Sequence, residues 1–99
     1  MLLVIFAYYN VHLMLNIVTI KDVKIKVGDW CRQKRQEYEM SQDELARQLD
    51  ISRVTIQQLE SGNNVTLDTL LKVANHFNSL PDIYKFFENG ISENPDSLY

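Results

Sequence analysis

The sequence predicts an all-α fold: a compact bundle of four to five short helices, preceded by a short N-terminal strand or arm. Three observations predict it. From Val27 onward apolar residues recur at helical spacing in successive short segments. Three of those segments open on a residue suited to capping a helix N-terminus, Ser41, Ser52 and Thr66, and the breaks fall at "SGNN" (61–64) and "NSLP" (78–81). With 99 residues there is material for one domain and one modest core.

Composition narrows the function classes. Hydrophobic residues make up 45% and charged residues 23%, which is globular rather than disordered. A single cysteine, Cys31, excludes an internal disulfide and a Cys-based zinc site, so a reducing cytoplasm is the expected setting and Cys31 is read as core filler. The net charge is −3, with eight Lys/Arg against seven Asp/Glu in residues 1–53 and two against six in 54–99. That is no polybasic coat, and any nucleic-acid binding must rest on a locally presented surface.

The chain divides into an apolar N-terminal segment with a strand-like arm (1–26), a helical domain (27–79), and a short C-terminal helix with a polar tail (80–99). The opening run, "MLLVIFAYYNVHLML", lacks a basic leader and a small-residue cleavage site, and falls short of the ~20 apolar residues that span a bilayer. It is expected to pack as an apolar strand, or to precede a true start at Met14. In "NIVTIKDVKIKV" (16–27), Val23, Ile25 and Val27 alternate with Lys24 and Lys26, which predicts a short strand with one wet face. Lys21, Lys24 and Lys26 read as a solvated face, or as an arm reaching a DNA backbone.

A first helix is predicted over 27–39, with Val27, Trp30, Cys31 and Tyr38 toward the core. Ser41 opens the second, "QDELARQL": Glu44 three residues on completes a capping box, and Leu45, Ala46 and Leu49 form the buried face. After a break at 50–52, Ser52 caps a third helix over 53–60, and Gly62 supplies the left-handed stop. Thr66 caps a fourth, whose stripe is Leu67, Leu70, Leu71, Ala74 and Phe77. Pro81 begins a fifth, "DIYKFFENG", with Ile83, Phe86 and Phe87. The tail from Ile91 is polar and expected to be mobile.

The third helix carries the functional signal. At about 100° per residue, Ile56 and Leu59 share one side while Arg53, Val54, Gln57 and Gln58 cluster opposite. Only about three residues separate it from the second helix, so the two must cross steeply, with small Ala46 at the close approach. Such a wall suits the DNA major groove, where Arg pairs with guanine, Gln with adenine and an apolar group with the thymine methyl.

The stretch "SQDELARQL.IS..TI..LE.G" resembles the lambda repressor/Cro-like, or XRE-type, helix-turn-helix family, over about Val27 to Phe77. The resemblance implies that Gln42 contacts a phosphate, that Arg53, Val54 and Gln58 read bases, and that Ser52, Gln57, Ser61 and Asn63 make phosphate or flanking contacts. It also implies a structural ion pair between Arg35 and Glu60. Three positions depart from the family pattern: Asp50 stands where the turn usually has glycine, Glu39 where Gly or Asn follows the first helix, and Asn63 and Asn64 where basic residues are frequent. A narrower segment, "LESGNNVTLDTLLKVANHF", is similar to antitoxins that bind HipA-type kinase toxins and repress their own operons.

These readings predict a transcriptional repressor that binds specific double-stranded DNA as a homodimer, with Ile83, Phe86 and Phe87 forming the dimer surface or else packing on the fourth helix. An antitoxin with a toxin protein partner, and a helical protein-interaction module without DNA binding, are the alternatives. No catalysis, cofactor, metal or membrane partner is expected: His12 and His76 are far apart, there is no Gly-rich phosphate loop, and Cys31 has no helper.

Overall fold

The structure, a computed structural model, describes residues 3–4 and 17–91. Five helices follow one another over residues 17–91: α1 (Ile20–Glu37), α2 (Gln42–Leu49), α3 (Arg53–Ser61), α4 (Leu67–His76) and α5 (Leu80–Gly90). The apolar opening run beyond Leu3 and Val4, and the polar tail after Ile91, lie outside the described residues. Among the described residues no helix is long and apolar enough to cross a membrane.

The strand expected over 16–27 is corrected where it is described, because residues 20–27 are the first two turns of α1. Thr19 and Asp22 form a capping box: the Thr19 hydroxyl accepts the Asp22 N–H at 3.1 Å, and the Asp22 carboxylate accepts the Thr19 N–H at 3.0 Å. Val23, Val27 and Trp30 repeat at i, i+4 and i+7 within the same residues that alternate, so the pattern supported both periods. A lone strand here has no neighbour to satisfy its backbone, whereas a capped helix satisfies its own. The helix therefore runs through the expected boundary between residues 26 and 27.

The remaining elements start and stop on local chemistry. Ser41 and Glu44 form the second capping box, at 3.1 and 3.4 Å. The Ser52 hydroxyl accepts the Thr55 N–H at 3.1 Å, and that of Thr66 accepts the Thr69 N–H at 3.2 Å. Glu39 and Asp50, the two positions where the family favours small turn residues, both adopt a left-handed backbone at φ 54°. Asn78 does so too, at 58°. Pro81 lies in the first turn of α5, where its missing N–H costs nothing.

The core is small and lies between α1, α2, α3 and α4, with α3 and α4 each packed on α1 and α2. Cys31, Leu45, Ile56 and Val73 are fully buried, with Leu59, Ala46, Ala74 and Phe77 beside them. Each large apolar side chain so buried contributes roughly 1.5–3 kcal/mol. Burial, then the nearby Glu60 charge, pushes the Cys31 thiol up to about 12, so it stays protonated.

Two expected faces differ. On α4 the buried stripe is Val73, Ala74 and Phe77 with Leu70 against it, and Leu67 stays 65% exposed. The helix begins at Leu67, so that side chain projects beyond the end of the core. Tyr38 is exposed rather than buried, though its ring lies against Phe77 with centroids 4.8 Å apart.

Candidate nucleic-acid interface

α3 is packed on one side and bare on the other. Ile56, Leu59 and Glu60 are buried, while Arg53, Val54, Gln57, Gln58 and Ser61 are exposed. Nine residues at 1.5 Å each give a rod of about 13 Å, comparable with the ~12 Å width of the major groove. Val54 is 57% exposed and flanked by polar groups. The Arg53 guanidinium stands 3.7 Å from the Asp43 carboxylate at the start of α2, and both side chains are more than half exposed. Such a pair is worth roughly 0–1 kcal/mol, so it places Arg53 without locking it.

The far end of the wall is organised by Gln58. Its carbonyl accepts the Ser61 hydroxyl at 3.0 Å and the backbone N–H of Asn63 at 3.0 Å. Its side-chain oxygen accepts from the Asn64 amide at 3.4 Å, which orients the carboxamide. At the near end the Ser52 hydroxyl is engaged with Thr55, as cap and side-chain partner at 2.8 Å. Gly62 ends the helix at φ 76°, and a side chain there would press on the Ile25 backbone at 3.2 Å.

Behind the wall lies a buried polar hub. Glu60 is 2% exposed, yet its carboxylate accepts two hydrogen bonds from Arg35, at 2.7 and 3.0 Å, and one from the Gln42 amide at 3.1 Å. Arg35 also donates to the Met40 carbonyl at 2.8 Å. Arg32 donates to the Glu60 carbonyl at 3.3 Å and approaches its carboxylate at 3.6 Å. Burial pushes the Glu60 carboxyl up, but the Arg35 and Gln42 hydrogen bonds and the Arg35 and Arg32 charges outweigh it and hold the group below the usual carboxylate range. The same pairing holds Arg35 protonated more firmly than usual.

The structure thus brings Gln42, Arg35 and Glu60 into one cluster and sets Arg53, Val54, Gln57 and Gln58 on one wall, with Ser52 at one end and Ser61 and Asn63 at the other. Gln42 is half-buried, its amide turned back to Glu60. Four participants were missed from the sequence: Arg32 and Gly28 behind the wall, and Asp43 and Asn64 beside it. Arg32 had a signal, lying three residues before Arg35 on the same helical side. Gly28 had one too, as an isolated glycine in a helical pattern.

A family model described as helix-turn-helix matches residues 32–83, just over half of the chain. The chain belongs to the XRE-type helix-turn-helix family. In this helix-turn-helix protein the motif is α2, the turn at 50–52 and α3. A protein of Methanoculleus marisnigri (strain ATCC 35101 / DSM 1498 / JR1), named as an HTH-type transcriptional regulatory protein, is 44% identical over 57 residues. The match covers 58% of this chain and 18% of that protein, so the chain spans a small part of its relative's length. No solved structure matches the chain.

Proposed function

We propose that this helix-turn-helix protein is a transcriptional repressor that binds specific double-stranded DNA as a homodimer, with α3 in the major groove. The observation that carries the reading is the exposed polar wall Arg53–Val54–Gln57–Gln58 on a helix whose back is fixed in the core. Arg53 offers the bidentate donor that guanine accepts, Gln58 the amide that matches adenine, and Val54 an apolar contact for a thymine methyl, with Gln57 beside them at a phosphate or flanking position. Gln42 opens α2, where free backbone N–H groups and the helix dipole favour a phosphate. Ser52, Ser61 and Asn63 flank the wall and supply further phosphate contacts.

One α3 reads few bases, so two copies related by a two-fold axis bind half-sites about 34 Å apart. A bound dimer then excludes other proteins from that duplex. A protein-interaction module would carry a broad apolar surface on α3, and this wall has one apolar residue among polar ones. An antitoxin role would use the same DNA-binding wall and add a basic protein partner, recoverable by co-purification.

Selection of bound sites from random duplex DNA tests the proposal. An inverted repeat with half-sites 10–10.5 base pairs apart is the expected product. A pool that stays unenriched at low salt, with protein that remains folded, contradicts it.

A further inference from the structure

Asp43 carries a charge that the proposed interface does not call for. It follows Gln42 directly, in the first turn of α2, and its side chain is more than half exposed. An acidic residue there suits the positive helix end, but Glu44 already supplies that charge and closes the capping box as well. Beside a phosphate held at Gln42, a second carboxylate repels the duplex. Arg47, one turn along α2, does not neutralise it: its guanidinium donates to the Asp43 backbone carbonyl at 3.4 Å and forms no ion pair with the carboxylate. The cation that does stand at the carboxylate is Arg53, from across the turn, at 3.7 Å.

We infer that Asp43 is a specificity-determining positioning residue, which keeps the Arg53 guanidinium for base edges by competing with the phosphates for it. The inference rests on the reading of α3 above and adds a residue to it. Among the described residues Arg53 has no other ion pair, so its placement on the wall depends on this one. At 3.7 Å the contact is between charges rather than a hydrogen bond, and the five N–H donors of the guanidinium stay available. A phosphate and the Asp43 carboxylate are rival anions for one cation, so capture of Arg53 by the DNA backbone means leaving Asp43. Guanine O6 and N7 are neutral acceptors, which take two donors of the fork while its charge still faces Asp43. The carboxylate thus lowers affinity for every duplex, and lowers it least where guanine stands.

Equilibrium binding tests this on three kinds of duplex: the selected site, the same site changed at the base pair where Arg53→Ala becomes indifferent, and random sequence. Melting temperatures check the fold of each variant. Asp43→Asn keeps the shape and removes the charge; it is expected to bind random duplex about threefold more tightly and to narrow the preference at that base pair about fivefold. In the Arg53→Ala background the same substitution should leave the preference at that pair unchanged. An equal gain on every duplex is a bare charge effect and overturns the inference. So does a preference that Asp43→Asn alters equally with and without Arg53, because the carboxylate would then read the pair itself. A folded wild type that selects no site overturns the reading of α3 together with this one, whereas a selected site whose preference survives Asp43→Asn overturns the positioning role alone.

Discussion

Glu60→Ala is expected to remove about 3–5 kcal/mol of folding stability, measured by urea denaturation. The reason is what the substitution leaves behind. Arg35 is only 12% exposed and gives two hydrogen bonds to this carboxylate; without it, a nearly buried guanidinium keeps its charge and one carbonyl partner. Gln42 loses its partner in the same step. Domains of this kind are stable by about 5–15 kcal/mol, so the variant is marginal at best. A cost below about 1 kcal/mol would show that the hub does not hold α1, α2 and α3 together.

The same carboxylate gives the fold an acid limb. Its folded-state value lies below the ordinary one, so its contribution is fully present above the ordinary carboxylate range and is lost as pH falls through the folded-state value. Glu60→Gln cannot be protonated there and should lose the part of the acid dependence that Glu60 supplies. Its stability should therefore fall less steeply than the wild type's below the carboxylate range.

Gly28→Ala is the second large effect, and it acts by crowding. α1 crosses the end of α3 at Gly28, where an added Cβ would sit 2.7 Å from the Leu59 carbonyl oxygen and closer still to that of Glu60. Those are backbone atoms of a packed helix and cannot swing aside, so the two helices must separate. A loss of about 1–3 kcal/mol is expected, and each 1 kcal/mol lowers the melting temperature of a domain this size by about 4–8 °C. Gly90→Ala is the control: its Cβ meets nothing within 4 Å, and in α5 the change should be neutral or slightly stabilising. Equal melting temperatures for Gly28→Ala and Gly90→Ala would contradict the close crossing.

The elements fixed by chemistry within a few residues were legible. Ser41 with Glu44, Ser52, Thr66 and Gly62 each act within one helical turn of where they stand, and α2, α3 and α4 begin where these residues place them. The phase of α3 was legible for the same reason, because Ile56 and Leu59 leave it one way to lie. The beginning of α1 was not. Lysines alternating with apolar residues suggested a strand, and the Thr19–Asp22 cap that decides for a helix lies just ahead of them. The rest depends on how distant segments cross. Gly28 is intelligible only once the end of α3 lies across it, and Asp43 only once the turn brings it beside Arg53. Leu67 and Phe86 have the composition of core residues, but this core closes before it reaches them.

The central claim is that the outer wall of α3 reads base edges while Gln42 grips the backbone. Binding of Arg53→Ala and Gln42→Ala to a panel of operators, each differing from the selected site at one base pair, tests it directly, with both proteins shown to be folded at the assay temperature. Arg53→Ala should lose ~1–3 kcal/mol on the preferred operator and become indifferent at one base pair, whereas Gln42→Ala, which removes an uncharged phosphate contact, should weaken every operator about equally. Two indistinguishable profiles across the panel would contradict it.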